Sequence, residues 1–169
     1  HVTCCLWGAK DPQTNILYIY SEYYFKGHQT AQIHALNIKA RGERIPGICD
    51  PSGGGRQDDG RLLADLFRQH GLDLTLGDNS IVGISRNCNM FENGTLKIFT
   101  TCENTKLEYR LYRWDTKDPT KIAPNQPDHA MDCIKYKTSM FDYVAKPEID
   151  FDRFEQRSTH RNYDPLTGY

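Results

Sequence analysis

The chain has 169 residues, 38% of them hydrophobic and 25% charged, with 21 Lys and Arg against 22 Asp and Glu for a formal net charge of −1. That length suits one domain with a real core, the composition is that of an ordinary soluble protein, and no apolar run is long enough for a membrane helix or a signal peptide. The expectation is a soluble intracellular protein, and the near-zero charge neither suggests nor excludes nucleic acid, because a local basic groove does not register in the total.

Residues 2–9 are apolar and β-rich, with Val2, Cys4, Leu6 and Gly8 alternating against Thr3, Cys5 and Trp7. Polar residues 10–15 predict a turn. Residues 16–24, rich in β-branched and aromatic side chains, predict the second strand of a hairpin. After Gly27 the period lengthens: Ala31, His34, Ala35 and Ile38 fall at i, i+3, i+4 and i+7, with Thr30 as N-cap and Gly42 past the end. A short apolar strand over 45–49 runs into Asp50, Pro51, Ser52 and three glycines. A helix over 58–70 follows, burying Leu62, Leu63, Leu66 and Phe67 and stopped by Gly71, and then a strand over 72–76.

Ile81, Ile84, Cys88 and Phe91 mark one face of the next helix, capped by Asn79 or Ser80 and ended by Gly94. Residues 96–99 predict a strand and 105–112 a short helix. Three prolines within 116–127 predict a loop or a short hairpin. The last helix covers 128–144, with Met131, Ile134 and Phe141 among its apolar positions. From residue 146 the chain is polar, charged and aromatic without a period, which predicts an extended tail after a domain of residues 1–145. Strand–helix alternation after an antiparallel start argues for an α/β fold, a mixed sheet flanked by helices in the ribonuclease-H-like order.

Six cysteines, Cys4, Cys5, Cys49, Cys88, Cys102 and Cys133, form no C-x-x-C pair. They are expected to be reduced, buried thiols in a reducing compartment rather than zinc ligands.

Asp50 is the most informative single residue. It ends an apolar strand, and in parallel α/β sheets ligands gather at the carboxyl ends of strands, where a carboxylate can meet a hard cation. The plain alternative is an aspartate that opens a turn or caps a helix. Asp128, His129 and Asp132 form a second group. At i, i+4 and i, i+3 spacing they share a helix face. Asp128 is either a helix cap or a ligand. Asp132, set among Met131, Cys133 and Ile134, needs something that offsets its desolvation: a metal ion, or a buried Lys or Arg. If Asp50 and Asp132 converge, two divalent ions about 4 Å apart could hydrolyse a phosphodiester between them. His129 would add a nitrogen ligand or shuttle a proton.

Three blocks, Tyr18-Ile-Tyr-Ser-Glu-Tyr-Tyr24, Ile48-Cys-Asp-Pro51 and Asp128-His-Ala-Met-Asp-Cys-Ile-Lys-Tyr136, agree in order and spacing with one family. Across about residues 1 to 145 the chain resembles the C-terminal nuclease domain of the large terminase subunit of tailed double-stranded DNA phages. The resemblance implies a ribonuclease-H-like (integrase-like) fold and a Mg2+- or Mn2+-dependent endonuclease that cuts concatemeric viral DNA during packaging. It gives Asp50 and Asp132 the roles of middle and late acidic ligands, and places His129 near the metal. The family's first acid belongs to a D-x-G motif on the first strand. No acid precedes Asp11, which lies in the hairpin turn. Either that segment lies before His1 or the fragment is catalytically crippled. Glu22, a glutamate common in the family, is a ligand or else a hydrogen-bonded or surface carboxylate, whereas Asp58 and Asp59 are helix-start acids.

Candidate phosphate contacts are Arg56, Lys121, Lys135 and Lys137, with no base-specific reading expected. The resemblance also implies double-stranded DNA, the portal protein or procapsid, the small terminase subunit and an ATPase motor domain of the same polypeptide as partners. The host cell cytoplasm is the implied location, with no membrane. Residues 116–127 resemble the hairpin that borders the family's active site, and the tail resembles its portal-docking end. No G-x-x-x-x-G-K-[ST] loop is present, so the chain itself is not expected to hydrolyse ATP. The rival reading is a non-cleaving module that grips DNA or docks on the portal. A junction resolvase is a third.

Overall fold

An antiparallel ribbon of β1 (Val2–Lys10) and β2 (Leu17–Lys26) opens the fold. The computed structural model describes residues 1–42, 45–51, 63–118 and 120–144. Arg56, Asp58, Asp59, the glycines at 53–55 and the tail expected from residue 146 lie outside the described residues. The turn between the strands is organised by Asp11, whose carboxylate accepts from the Gln13 N–H at 2.9 Å and the Thr14 hydroxyl at 2.5 Å. Such local side-chain bonds favour a turn over continued strand. The register shifts between Trp7 and Gly8. At Gly8 an added Cβ would lie 2.8 Å from Lys137 Cδ, so the glycine is what lets a lysine stem cross the strand.

Helix α1 (Ala31–Lys39) starts where the sequence predicts: the Thr30 hydroxyl accepts from the Ile33 N–H at 3.4 Å. It is tied to both strands through buried His34, whose ring nitrogens share hydrogen bonds with the Thr3 hydroxyl (3.1 Å) and the Tyr23 hydroxyl (3.0 Å). Strand β3 (Gly47–Cys49), helix α2 (Leu63–Gln69) and strand β4 (Leu74–Leu76) follow, β3 and β4 pairing in parallel. Helix α3 (Val82–Glu92) leads to strand β5 (Leu96–Ile98), which pairs in parallel with β2, and then to α4 (Glu103–Leu111) and α5 (His129–Val144). Gly71 (φ +80°) and Gly94 (φ +73°) take up the left-handed turns that release the chain from α2 and α3. Between α4 and α5 the chain folds back through an antiparallel bridge of Trp114 with Ile122, the short hairpin expected there.

The expected mixed sheet is present but small: among the described residues it is ordered β1-β2-β5, with β1 antiparallel and β5 parallel to β2, while β3 and β4 form a separate parallel pair. No backbone ladder joins β1 to β3; α5 packs on both. One expectation is corrected: Ile81 is 52% exposed instead of facing the core. Its position precedes α3, and the helix turns Gly83, Ile84 and Asn87 inward. Asn87 bonds Thr138 of α5 at 2.6 Å, so a polar contact sits where an all-apolar stripe was expected.

The core joins Leu6, Leu17, Ile19, Leu96 and Cys102 to Ala130, Met131 and Ile134 of α5. Ala130 and Ile134 are i, i+4 on one stripe, which fixes the rotation of α5 about its axis. All six cysteines are free thiols, Cys102 buried and the others half-buried. Burial pushes the Cys5 thiol up to about 12, so it stays protonated and inert at neutral pH. No helix of the described residues is long and apolar enough to cross a membrane.

Candidate active site

The rotation of α5 decides what its first turns can do. With Ala130, Met131 and Ile134 in the core, Lys135 packs on Gly83 of α3 and reaches Asn79, Tyr136 reaches Asp50 past β3, and Asp132 is paired with Lys135. The start of the helix is held by Glu108 of α4, only 2% exposed. Its Oε2 accepts from the backbone N–H groups of Ala130 (2.6 Å) and Met131 (3.4 Å), and its Oε1 accepts from the Tyr24 hydroxyl (2.5 Å). A carboxylate is well placed here, because helix amides carry unpaired donors and partial positive charge. Capping of these amides, one role foreseen for Asp128, is therefore done by Glu108. The Asp128 backbone carbonyl accepts from the Asp132 N–H at 2.7 Å.

Asp132 Oδ1 accepts from Lys135 Nζ at 2.7 Å, and the same ammonium donates to Asn79 Oδ1 at 2.7 Å. The Lys135 side chain is 9% exposed and that of Asp132 31%. Gly83 makes room for the lysine stem: an added Cβ would sit 2.7 Å from Lys135 Cγ. A buried lysine was one of the two ways foreseen to offset desolvation of Asp132. One turn on, the Tyr136 hydroxyl donates to Asp50 Oδ2 at 3.0 Å. Gly77 gives the tyrosine its place, since a Cβ there would meet Tyr136 Cγ and the Cys49 carbonyl oxygen, each at 3.0 Å. Asp50, just past β3, is thus drawn to the helix that carries Asp132.

The electrostatics report the same gathering of acids. Burial, then the charge of Asp132, pushes the Asp128 carboxyl above its ordinary value, with His129 and Lys135 pulling the other way. The Tyr136 hydroxyl is pushed up by burial, by Asp132 and by its bond to Asp50, and Tyr112 by burial, Asp132 and Asp128. Asp132 thus bears on both phenols, Asp50 on Tyr136 and Asp128 on Tyr112. His129 is exposed, its ring edge-on to Tyr24 at 6.4 Å between centroids.

Among the described residues no three His, Cys, Asp or Glu side chains gather closely enough to hold a metal ion by themselves. A small hard ion asks less of the protein: magnesium is usually bound by one or two carboxylates and keeps several waters. Asp128 and Asp132, an i, i+4 pair in which burial and the charge of Asp132 raise the Asp128 carboxyl, have the oxygen chemistry that such an ion fits. Zinc, which prefers nitrogen and sulfur, does not suit this donor set.

The other candidates divide. Glu22 is taken: its two oxygens accept from the N–H and amide of Asn104 (2.9 and 3.0 Å) and from the N–H and hydroxyl of Thr105 (2.9 and 2.7 Å). It is the hydrogen-bonded carboxylate of the two readings, and it caps α4. Lys135 is a correction: buried and committed to Asp132 and Asn79, it is not a solvated phosphate contact. Lys137 has a partly buried stem against Gly8, and burial pulls its ammonium below the usual lysine range, a poorer phosphate contact than expected. Lys121 stays exposed in the hairpin, paired with Asp118 at 3.0 Å.

Glu108, Asn79 and the role of Tyr136 were missed from sequence. The available signal was that Glu108 shares a helix face with Thr105 and Tyr112, flanking positions that pack inward.

No protein-family model matches the sequence, and no curated protein is significantly similar to it. Solved structures do resemble the fold. The P22 large terminase nuclease domain superposes with a TM-score of 0.69 at 21% identity, covering 85% of this chain and 77% of that one. The large terminase from a thermophilic bacteriophage gives 0.67 at 21% identity, over 85% of this chain and 37% of that one. The same thermophilic phage protein in complex with ADP gives 0.61 at 24% identity, over 73% and 33%. This chain spans about a third of the thermophilic phage protein and has the fold of a large-terminase nuclease domain.

Proposed function

We propose that this chain is the ribonuclease-H-like nuclease domain of a phage DNA-packaging terminase, a metal-dependent endonuclease that cuts concatemeric double-stranded DNA. The observation that carries the reading is the tie between Tyr136 and Asp50, which brings the strand-end acid to the helix of Asp132. Likeness in fold to the P22 nuclease domain supports it. Mg2+ or Mn2+ would rest on Asp132 and Asp128, and a second ion on Asp50, supplying Lewis-acid chemistry for phosphodiester hydrolysis. The protein's own part is to hold these acids in place through Glu108, Lys135 and Tyr136. His129, exposed beside Asp128, is the group that would move a proton. Lys121 in the hairpin and Arg56 would meet phosphates without reading bases.

On this reading the domain works in the host cytoplasm as part of a longer polypeptide with an ATPase motor, meeting the portal or procapsid and the small subunit. The second reading, a module that grips DNA or docks on the portal without cutting, is favoured by one observation: the described residues do not by themselves enclose a metal. Plasmid cleavage with manganese, compared among the wild type, Asp50→Ala and Asp132→Ala, separates the two. Cleavage abolished by each substitution supports the enzyme. A wild type that binds but never cuts supports the module, and cleavage that survives both substitutions removes the proposed site.

A further inference from the structure

We propose that the hairpin between α4 and α5 carries a site for an unpaired nucleotide of a DNA strand, its base stacked on Trp114 and its flanking phosphates held by Arg113 and Lys117. The inference rests on the reading of DNA as the substrate and deepens it, by naming the form of DNA that this element takes.

Arg113, Trp114 and Lys117 border a cavity of about 340 Å3, which Ala123 and Pro124 also line. That volume lies in the range of small-ligand clefts. The hairpin is ordered without a ligand. Trp114 and Ile122 form its bridge, and the Ala123 N–H donates to the Arg113 carbonyl at 3.0 Å. The Gln126 side chain accepts from the Arg113 N–H (3.0 Å) and donates to the same carbonyl (3.1 Å). Trp114 is nonetheless 38% exposed. Asp115, the acid that lines the cavity, is engaged with the backbone, accepting from the Lys117 N–H at 2.7 Å. Lys121 is paired with Asp118. By contrast, no described residue pairs with the Arg113 guanidinium or the Lys117 ammonium.

An open indole beside two unpaired cations has the chemistry of a single strand: any base can stack on the ring, and the phosphates meet the cations. A paired base is covered on both faces by its neighbours in the duplex, so it cannot take this place. The hairpin also stands close to the acids. Gln126 lies two positions before Asp128, and burial followed by the charges of Asp132 and Asp128 raises the Tyr112 hydroxyl at the hairpin's foot. A strand freed beside those acids would meet Trp114, two positions on from Tyr112.

The test is titration of the full chain with a short thymidine oligonucleotide, without divalent ion so that nothing is cut. Affinity is read from the anisotropy of a labelled strand, and position from tryptophan fluorescence. Trp7 is only 5% exposed, so quenching by the strand reports Trp114. Quenching is expected, together with about tenfold weaker binding of an abasic strand of the same length, the worth of one base stack. Trp114→Leu should remove that preference for bases. Arg113→Met combined with Lys117→Met should weaken both strands alike and reduce the salt slope of log affinity by about 1.4, from two lost phosphate contacts; this variant decides the matter if Trp114→Leu does not fold. Thymidine monophosphate binding as tightly as the oligonucleotide would assign the cavity to a free nucleotide and overturn the strand site. So would a wild type without quenching, a blunt duplex that binds and quenches as well as the single strand, a Trp114→Leu variant that keeps its preference for bases, or a double variant with unchanged affinity and slope. Cleavage that depends on Asp50 and Asp132 would still support the nuclease in each of these cases, so the two readings fail separately.

Discussion

Tyr136 and Asp50, 86 positions apart, are joined by a 3.0 Å hydrogen bond that ties the end of β3 to the second turn of α5. β3 and β1 share no ladder, and this bond together with the packing of α5 on both strands relates Asp50 to the helix of Asp132. Tyr136→Phe keeps the ring and removes only the donor. It should cost about 1 kcal/mol of stability, the ordinary net worth of a hydrogen bond, while lowering manganese-dependent cleavage about tenfold, as misplacement of a reacting group does. Equal cleavage by the variant and the wild type would mean that the bond does not position Asp50.

Glu108 should matter more for folding. It serves two backbone amides and a phenol from a site 2% exposed to solvent. Glu108→Ala leaves all three donors without their acceptor and opens a cavity, so a loss of about 3 kcal/mol or more is expected in urea denaturation. Glu108→Gln, which retains a carbonyl acceptor, should lose clearly less. Equal losses would argue that volume, not the capping bonds, is what counts.

Acid should weaken the fold in two steps. Burial holds the His34 imidazole below its usual value of 6.5. The unfolded chain therefore takes up this proton more readily, and His34's contribution is complete above about pH 6.5 and lost as pH falls toward the folded value. For Glu22, burial raises the carboxyl, but the bonds from Thr105 and Asn104 outweigh it, and the net shift is downward. Its contribution is present above the unfolded value near 4.5 and disappears as pH falls through the lower folded one. Urea melts from pH 7.5 to 3.5 should show both losses, and His34→Gln should flatten the first. Stability that rises on acidification from 7.5 to 5 would contradict the assignment.

Local chemistry was legible where one residue type serves one purpose. Thr30 capped α1 as expected, Asp11 organised the hairpin turn, and Met131 with Ile134 set the buried stripe of α5. Asp50, Asp128 and Asp132 stand out in the sequence as candidates by position alone, and the need of Asp132 for a partner follows from its apolar neighbours and is met by Lys135. What sequence cannot assign is which distant group satisfies a given donor. Glu108 reaches α5 across 22 positions, and Lys135 looks like a surface charge until Gly83 and Asn79 are placed beside it. Ile81 differs from the expectation for a similar reason: the inward face of α3 is set by its packing on α5, which buries Gly83, Ile84 and Asn87 and leaves Ile81 outside.

The most direct test is a crystal of the full chain grown with manganese and recorded at a wavelength where the ion scatters anomalously. An anomalous peak at Asp132, shared with Asp128 or Asp50, is the predicted result. Peaks only at other acids, with none at Asp50, Asp128 or Asp132, would contradict a metal-dependent centre built on these residues.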